Sequence, residues 1–217
     1  YRAKRCGEAK PQNAPILYMH GAFGKRLKPD DRVKQLFDKQ RATLSLGYIG
    51  LYEVASVFYG GEWEKNKEAK DFTLDIMKYM KQCVDKWTSE GDYWYSIYST
   101  PSESLTDRFC RMDTEKFGMV ENVTDKEYYT NSYHYDVRKN PTPFEKLDFE
   151  KDYPYYASGG FIHYCEYPVL KQNPKALEAV WDFAYDKVGY LGTNTPIDRC
   201  YSCNFEGEFE PTKKGFK

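Results

Sequence analysis

The stretch Tyr98–Phe109 combines hydroxyl-bearing residues with a proline where a strand is expected to give way to a helix. The alternating run at 93–98 predicts the strand. Because the first N–H groups of a helix have no partner within it, such a corner can bind an anion, and phosphate is the usual one. The alternative is an ordinary helix cap with Pro101 at the first helical position. The hydroxyl groups of Thr100, Ser102 and Ser104 can cap this helix, while its first backbone N–H groups point outward.

Cys200 and Cys203 have the spacing with which two thiolates hold one Zn²⁺ ion from a tight turn. Tetrahedral zinc needs four ligands, and the sequence contains no second pair of this kind. His134 and His163 lie in segments expected to be extended, so local spacing offers no further ligand. The residues alone leave half a zinc site, a redox pair and a chance occurrence open.

Several other reactive residue types are interpreted as structural. The acidic run at 144–152 is interpreted as a solvated face. The segment Gly21–Lys25 lacks the spacing of a phosphate-binding P-loop and is interpreted as a turn. Three cysteines are interpreted as buried core residues: Cys83, Cys110 and Cys165. His134 and His163 are interpreted as hydrogen-bonded core histidines, and the alternative for each is a role in a substrate pocket.

Composition limits the classes of function. The chain has 217 residues, enough for one sizeable domain or two small ones. Lys plus Arg (32) nearly balances Asp plus Glu (33), which disfavours binding to nucleic acid or to an anionic membrane. No run of 18 apolar residues and no signal peptide are present, so we expect a soluble, cytoplasmic protein with reduced thiols.

Hydrophobic periodicity predicts strands that alternate with helices. The predicted strands and extended runs are 43–46, 93–98, 128–137, 160–167 and 190–195. The predicted helices are 50–59, a long helix that ends near Gly91, and 174–188. This alternation indicates an α/β fold with parallel strands, in which ligands bind at the carboxyl ends of the strands.

Each predicted helix has an apolar stripe that we expect to be buried. In the first helix the stripe is Leu51, Val54, Ala55 and Phe58. In the long helix it is Phe72, Ile76, Tyr79, Met80, Cys83, Val84 and Trp87. In the last it is Leu177, Val180, Trp181, Ala184 and Val188, with Asn173 as the cap.

Four long segments, 41–60, 98–118, 125–154 and 159–203, resemble the later catalytic region of the anaerobic (class III) ribonucleoside-triphosphate reductases. The resemblance implies a ten-stranded α/β barrel built of two half-barrels, of which this chain is most of the second. Residues 1–196 would then be a partial catalytic barrel. Residues 197–217 would be the start of a C-terminal zinc-binding segment.

The same resemblance implies a function and a set of site residues. The corner would receive the triphosphate of a ribonucleotide, through Ser99, Thr100, Pro101, Ser102, Glu103 and Ser104. Cys200 and Cys203 would supply half of a structural zinc site, whose second pair we expect beyond Lys217. The thiyl cysteine and the radical glycine are likewise expected outside these residues, so the chain alone should be inactive.

The family also implies cofactors and partners: a glycyl radical, an iron–sulfur activase that uses S-adenosylmethionine, formate as reductant, ATP and deoxynucleotide effectors, and a homodimer. Two alternatives come from other classes. A zinc-ribbon module that binds nucleic acid is disfavoured by the neutral charge. A related glycyl-radical enzyme acting on a small carbon substrate such as pyruvate would not need a triphosphate-binding corner.

Overall fold

The computed structural model describes residues 1–37, 39–168, 170, 173–195, 198–207, 209, 211–212 and 215–216. Its α-helices are α1 (Arg2–Gly7), α2 (Pro15–Tyr18), α3 (Leu51–Tyr59), α4 (Lys67–Glu90), α5 (Glu103–Phe117), α6 (Pro143–Glu150) and α7 (Pro174–Ala184). Its strands are β1 (Thr43–Gly47), β2 (Trp94–Ser99), β3 (Gly160–Phe161), β4 (His163–Glu166), β5 (Leu191–Asn194), β6 (Asp198–Arg199), β7 (Glu206–Gly207), β8 (Pro211–Thr212) and β9 (Gly215–Phe216).

The chain divides into two compact units. Unit 1 comprises Tyr1–Gly47, Asp75–Tyr98 and Tyr156–Gly159. Unit 2 comprises Tyr48–Leu74, Ser99–Tyr155 and Gly160–Lys217. Within the described part of the chain, no helix combines the length and the apolar character needed to cross a bilayer.

Each unit contains a pair of parallel strands. In unit 1, β1 pairs with β2 so that Gly47 lies opposite Tyr98. In unit 2, β4 pairs with β5 so that His163 lies opposite Leu191. Parallel strands separated along the chain by helices define a mixed α/β protein, so the predicted class is confirmed.

Each unit buries apolar side chains. In unit 1 the buried side chains include Val33, Leu36, Met77, Val84 and Ile97. In unit 2 a cluster from α6, β4 and α7 contains Leu147, Cys165, Tyr167, Val180 and Ala184. The interpretation of Cys110 and Cys165 as buried thiols is confirmed, because both are 1% exposed.

Helix α6 corrects the interpretation of residues 144–152 as a solvated face. The Thr142 hydroxyl accepts a hydrogen bond from the Glu145 N–H, and the Glu145 carboxylate accepts one from the Thr142 N–H. This capping box, followed by Pro143, begins a helix. Leu147 and Glu150 on that helix are completely buried, so the run carries a core face as well as a solvated one.

The long helix α4 has the predicted extent, and Val84 of the predicted stripe is completely buried. The other buried residues, Ala69, Thr73 and Met77, lie outside that stripe. Of the predicted stripe, Tyr79 is 68% exposed and Trp87 is 43% exposed. Cys83 is half-buried, so its assignment to the core was wrong. Thr73 is buried because its hydroxyl hydrogen-bonds the Tyr153 hydroxyl, a partner that periodicity does not reveal.

The stripes predicted for α3 and α7 were also partly wrong. On α3, Val54 and Phe58 are exposed, whereas Glu53 is buried beside a cation. On α7, Val180 and Ala184 are buried as predicted, but Trp181 is 50% exposed. Apolar periodicity does not predict the buried face of a helix correctly where polar side chains have partners in the core.

The extended run predicted at 128–137 is irregular instead. It makes one isolated bridge, between Asn131 and Ile49, and leads into a 3₁₀ turn at Val137–Lys139. The Thr130 N–H donates to the buried Glu53 carboxylate, 3.0 Å away, rather than to a neighbouring strand. A side-chain acceptor thus replaces a strand partner for this backbone.

Gly159 permits a close backbone approach in unit 1. Its N–H donates to the Ile97 carbonyl oxygen at 2.7 Å. A Cβ atom there would lie 2.5 Å from Ser96 Oγ and 2.8 Å from the Ile97 oxygen.

We expect Gly159→Ala to lower the free energy of unfolding by about 1–3 kcal/mol, measured by urea denaturation, because the backbone must shift.

Gly47→Ala is the matched control, since a Cβ at Gly47 would have its nearest described neighbour at 3.9 Å, an ordinary contact. An equal loss of stability in both variants would contradict the close-approach explanation.

Candidate functional site

The predicted corner lies where β2 ends at Ser99 and α5 begins at Glu103. Ser102 occupies the N-cap position, but its side chain makes no capping hydrogen bond. Its carbonyl oxygen accepts from the Leu105 N–H at 2.8 Å and from the Thr106 N–H at 3.1 Å. The helix therefore starts from the Ser102 backbone, and Pro101 precedes the cap instead of occupying the first helical position.

The residues of the corner differ in how accessible they are. Ser99 is completely buried, and its hydroxyl donates to the Tyr48 hydroxyl at 2.8 Å. Thr100 is half-buried and Ser104 is exposed, and neither hydroxyl bonds another described residue. The side chain of Glu103 lies outside the described residues. Ser99 thus anchors the corner, whereas Thr100 and Ser104 keep donors available.

Asn131 ties the corner to the irregular segment that follows α5. Its Oδ1 accepts from the Ser102 N–H at 2.8 Å. Its carbonyl oxygen accepts from the His134 N–H at 3.0 Å. Because the Ser102 N–H already donates to the Asn131 side chain, an anion at the corner would use other donors.

A cavity of about 580 Å³ adjoins the corner within unit 2, and Pro101 forms part of its wall. The wall also contains His134 and Lys146, both buried. Its amide and phenol groups come from Asn131, Asn140, Asn194, Tyr128, Tyr135 and Tyr164. A cavity of this size and composition can hold a ligand with a ring system and several hydroxyl groups.

The buried carboxylate of Glu150 is the centre of the polar groups behind the cavity. Its Oε2 lies 3.1 Å from His134 Nδ1 and 2.6 Å from His163 Nδ1. Its Oε1 accepts from the Tyr135 N–H at 2.8 Å and contacts the Lys146 ammonium. One carboxylate thus orients the histidine and the lysine of the cavity wall.

Protonation in this cluster reflects burial and charge. Burial alone would raise the pKa of Glu150, but the charges and hydrogen bonds of His134, Lys146 and His163 hold that pKa well below its ordinary value. Burial lowers the pKa of His163, partly offset by Glu150, and raises the pKa of the Cys165 thiol. Glu150 is therefore ionised inside the protein.

His163 lies on the core side of β4. Its Nε2 is 3.2 Å from Cys165 Sγ, and both side chains are almost completely buried. The neighbouring residues Tyr164 and Glu166 line the cavity instead, as the alternation of a strand requires. His163 thus lies between the Cys165 thiol and the Glu150 carboxylate. Because the thiol is protonated and shielded from solvent, we interpret Cys165 as a packing residue.

A second buried ionic cluster holds the irregular segment against α3. The Lys126 ammonium contacts the Glu53 carboxylate and lies 3.4 Å from Asp136 Oδ2. Arg138 Nη2 lies 2.9 Å from the same Asp136 oxygen. Burial would raise the pKa of Asp136, but hydrogen bonds from Arg138 and the Lys126 charge lower it. The segment is thereby fixed without a regular strand.

Cys200 and Cys203 lie at the turn of the β6–β7 hairpin. The Cys200 N–H donates to the Phe205 carbonyl at 2.9 Å, and the Asn204 N–H donates to the Cys200 carbonyl at 2.8 Å. Backbone N–H groups of Cys203 and Ser202 lower the pKa of the Cys200 thiol, which favours the thiolate that metals bind. Among the residues described, no three His, Cys, Asp or Glu side chains are placed to hold a metal.

Three residues of this site were not predicted from the sequence: Asn131, Lys146 and Glu150. A signal for the last two was present, because Thr142, Pro143 and Glu145 form a capping-box pattern. Within a helix that starts there, Lys146 and Glu150 are one turn apart and share a face. No local signal pointed to Asn131, whose role depends on the distant corner.

A family model described as "Anaerobic ribonucleoside-triphosphate reductase" matches residues 1–214. The chain is 54% identical over 216 residues to the enzyme of that name from Haemophilus influenzae. The aligned residues are 99% of this chain and 31% of the Haemophilus influenzae protein. It is 46% identical over 203 residues to the one from Enterobacteria phage T4, with coverage of 94% and 32%. The chain spans about a third of the length of these curated relatives.

Solved structures with a similar fold are anaerobic ribonucleotide reductases. The enzyme from Thermotoga maritima with MES in the active site matches with a TM-score of 0.64 at 21% identity, covering 82% of this chain and 30% of that one. The same enzyme with dATP in the specificity site gives 0.61 at 19% identity, covering 82% and 32%. At such identities the likeness establishes the fold, which is the one expected from the sequence.

The ionised state of Glu150 makes stability depend on pH. A carboxylate whose pKa is lower in the folded than in the unfolded protein stabilises the fold above the unfolded value, here 4.5, and loses that contribution as pH falls below it. We expect Glu150→Gln to remove up to about 1.4 kcal/mol per pH unit from the acid slope of the unfolding free energy. Urea titrations at a series of acidic pH values measure that slope.

Glu178→Gln is the control, because Glu178 is exposed on α7. Its acid slope should match the parent chain. An unchanged slope in Glu150→Gln would show that Glu150 is not ionised inside the fold.

Proposed function

Because the chain belongs to the anaerobic ribonucleoside-triphosphate reductase family, we propose that it supplies the triphosphate-binding part of the catalytic site in such an enzyme. The observation that carries the proposal is the 54% identity over 99% of the chain. The corner after β2 supports the location, since an exposed helix N-terminus and accessible hydroxyl groups attract phosphate.

The proposed reaction converts ribonucleoside triphosphates to deoxyribonucleoside triphosphates in the cytoplasm. A glycyl radical, installed by an iron–sulfur activase that uses S-adenosylmethionine, would supply the thiyl radical chemistry, with formate as reductant. The working enzyme would be a homodimer controlled by ATP and deoxynucleotides. Within these 217 residues there is no Arg-x-Cys-Gly-Tyr motif of the radical glycine, and Gly189-Tyr-Leu-Gly192 lacks its Arg and Cys.

The residues of this chain would act on the phosphates. The amides at the start of α5 and the hydroxyls of Thr100 and Ser104 would donate to the phosphate oxygens, and the helix dipole would favour their charge. The Ser102 hydroxyl is a further donor, while its N–H remains with Asn131. Ser99 and Pro101 would fix the backbone of the corner, and Glu103 completes the proposed segment.

The C-terminal segment 197–217 is proposed as the start of a zinc-binding segment. The β6–β7 hairpin presents Cys200 and Cys203 from one turn, and the lowered pKa of Cys200 suits a metal ligand. These two thiols would be half of a tetrahedral set, which would stabilise the hairpin when complete. Residues 1–196 would form the partial catalytic barrel.

A negative charge introduced at position 104 tests the proposed phosphate site. The test uses a full-length reductase that contains this segment. An acidic residue in the first turn of a helix is favourable for the helix but repels a bound phosphate. We expect Ser104→Asp to leave thermal stability unchanged or slightly higher, and to raise the KM for a ribonucleoside triphosphate about tenfold or more. Steady-state kinetics measure the KM.

Ser104→Asn has a similar size without the charge and should change the KM much less. If Ser104→Asp left the KM unchanged, the corner would be an ordinary helix start, and the phosphate site would lie elsewhere.

The isolated 217-residue chain is expected to reduce no ribonucleotide, even with an activase and formate under anaerobic conditions. None of Cys6, Cys83, Cys110 and Cys165 matches a catalytic motif of the family, and Cys110 and Cys165 are buried. Formation of labelled deoxyribonucleotide by the purified chain would disprove this expectation.

A further inference from the structure

Residues 130–132 contact the starts of two helices in unit 2. The Thr130 carbonyl oxygen accepts from the N–H of Gly50, the N-cap residue of α3, at 2.8 Å. The Asn131 side chain accepts from the N–H of Ser102, the N-cap residue of α5, also at 2.8 Å. Adjacent residues of one segment thus hold the first turns of α3 and α5 together.

The segment that carries Asn131 is itself fixed against both helices. On the side of α3, the Glu53 carboxylate accepts from the Thr130 N–H at 3.0 Å and from its hydroxyl at 2.6 Å. On the side of α5, the Tyr129 N–H donates to the Thr106 carbonyl oxygen at 3.2 Å, and the Tyr129 hydroxyl donates to Asp113 at 2.8 Å. The Asn131 side chain therefore extends from a backbone whose position is set on two sides.

The start of α5 depends on Asn131 because its own N-cap side chain does not hold it. The Ser102 side chain makes no capping hydrogen bond, and the Ser102 N–H donates to Asn131 Oδ1. Within the first turn, the Ser104 N–H has no acceptor among the described residues. Asn131 thus bonds one amide of the corner and sets the direction in which the following free amide points.

The backbone of the segment is strained at Ser132, the residue after Asn131. Its φ angle is +39°, which is uncommon for any residue other than glycine. Ser132 is also completely buried, and its hydroxyl has no hydrogen-bond partner in the described part of the chain. Both features are unfavourable, and such features are concentrated at functional sites, where surrounding contacts impose them. The path that presents Asn131 to the corner is therefore not the one that stability alone would favour.

We propose that Asn131 is a positioning residue for the triphosphate of the substrate. By accepting from the Ser102 N–H, it fixes the corner so that the free amide and the hydroxyl groups at the start of α5 converge on the phosphate oxygens. It acts through the backbone of the corner and not by contact with the ligand. This assignment rests on the proposed function, because it requires that phosphate binds at the start of α5.

Binding of inorganic triphosphate to the full-length reductase tests the assignment, with a saturating deoxynucleotide effector present and at a temperature at which each variant is folded. Asn131→Leu keeps the shape of the side chain but has no acceptor for the Ser102 N–H. We expect it to weaken triphosphate binding about fivefold, the equivalent of one ordinary hydrogen bond. In the activated enzyme, the KM for CTP should rise by a similar factor, and kcat should change by less than about twofold. A merely structural role would lower the melting temperature without this change in affinity.

Two further variants complete the test. Asn131→Ser keeps a polar group but is too short to reach the Ser102 amide, so it serves if Asn131→Leu does not fold, and it should weaken triphosphate binding to a similar extent. Asn13→Leu, at an exposed asparagine of unit 1, should change neither the Kd nor the KM. Unchanged triphosphate binding in a folded Asn131 variant, or a fall in kcat with an unchanged KM, would overturn the assignment.

The charge variant Ser104→Asp separates failure of this assignment from failure of the proposed function. If Ser104→Asp weakened the binding of inorganic triphosphate and the Asn131 variants did not, the phosphate site would stand and the role of Asn131 would be disproved. If Ser104→Asp left triphosphate binding unchanged, the phosphate site at the start of α5 would be disproved, and the role of Asn131 with it.

Discussion

The buried carboxylate of Glu150 is the constraint on which the structure around the cavity depends. An ionised carboxylate without partners would be far too costly inside a protein, so its neighbours must be held in place together. His134 comes from an irregular segment, Lys146 from the preceding turn of α6, and His163 from β4. Since none of these elements can satisfy Glu150 alone, the carboxylate fixes all three relative to one another within unit 2.

The irregular segment that carries His134 depends on the same kind of interaction. Lys126 is 8% exposed and lies with Glu53 and Asp136, while Glu53 also accepts from the Thr130 N–H and hydroxyl. These contacts give the Thr130 N–H a side-chain acceptor in place of a strand partner. A segment held by side chains can follow the irregular path that brings Asn131 to the corner and His134 to the cavity, which a regular strand would not allow.

Features with local causes could be predicted from the sequence. Apolar periodicity, together with Gly, Pro and Ser residues at the ends of segments, predicts most of the helices and strands: α3, α4, α7, β1, β2 and β5. The same local signals predict the corner before α5 and the thiol pair in a turn. The buried faces could not be predicted as well. Periodicity counts apolar residues, yet Glu53, Thr73 and Glu150 are buried because each meets a polar partner from a distant part of the chain. Conversely, Trp87 and Trp181 are exposed although their side chains are largely apolar.

By itself the sequence determined the α/β class, the family and the position of the candidate phosphate corner, because each depends on residues adjacent along the chain. Only the tertiary structure decided which side chains accompany that corner. Glu150, His134 and His163 are separated by 13 to 29 residues along the chain, and their meeting depends on the packing of α6 against β4. Electrostatic pairing in a protein interior acts over a few ångströms, so it follows spatial proximity, which local sequence patterns do not encode.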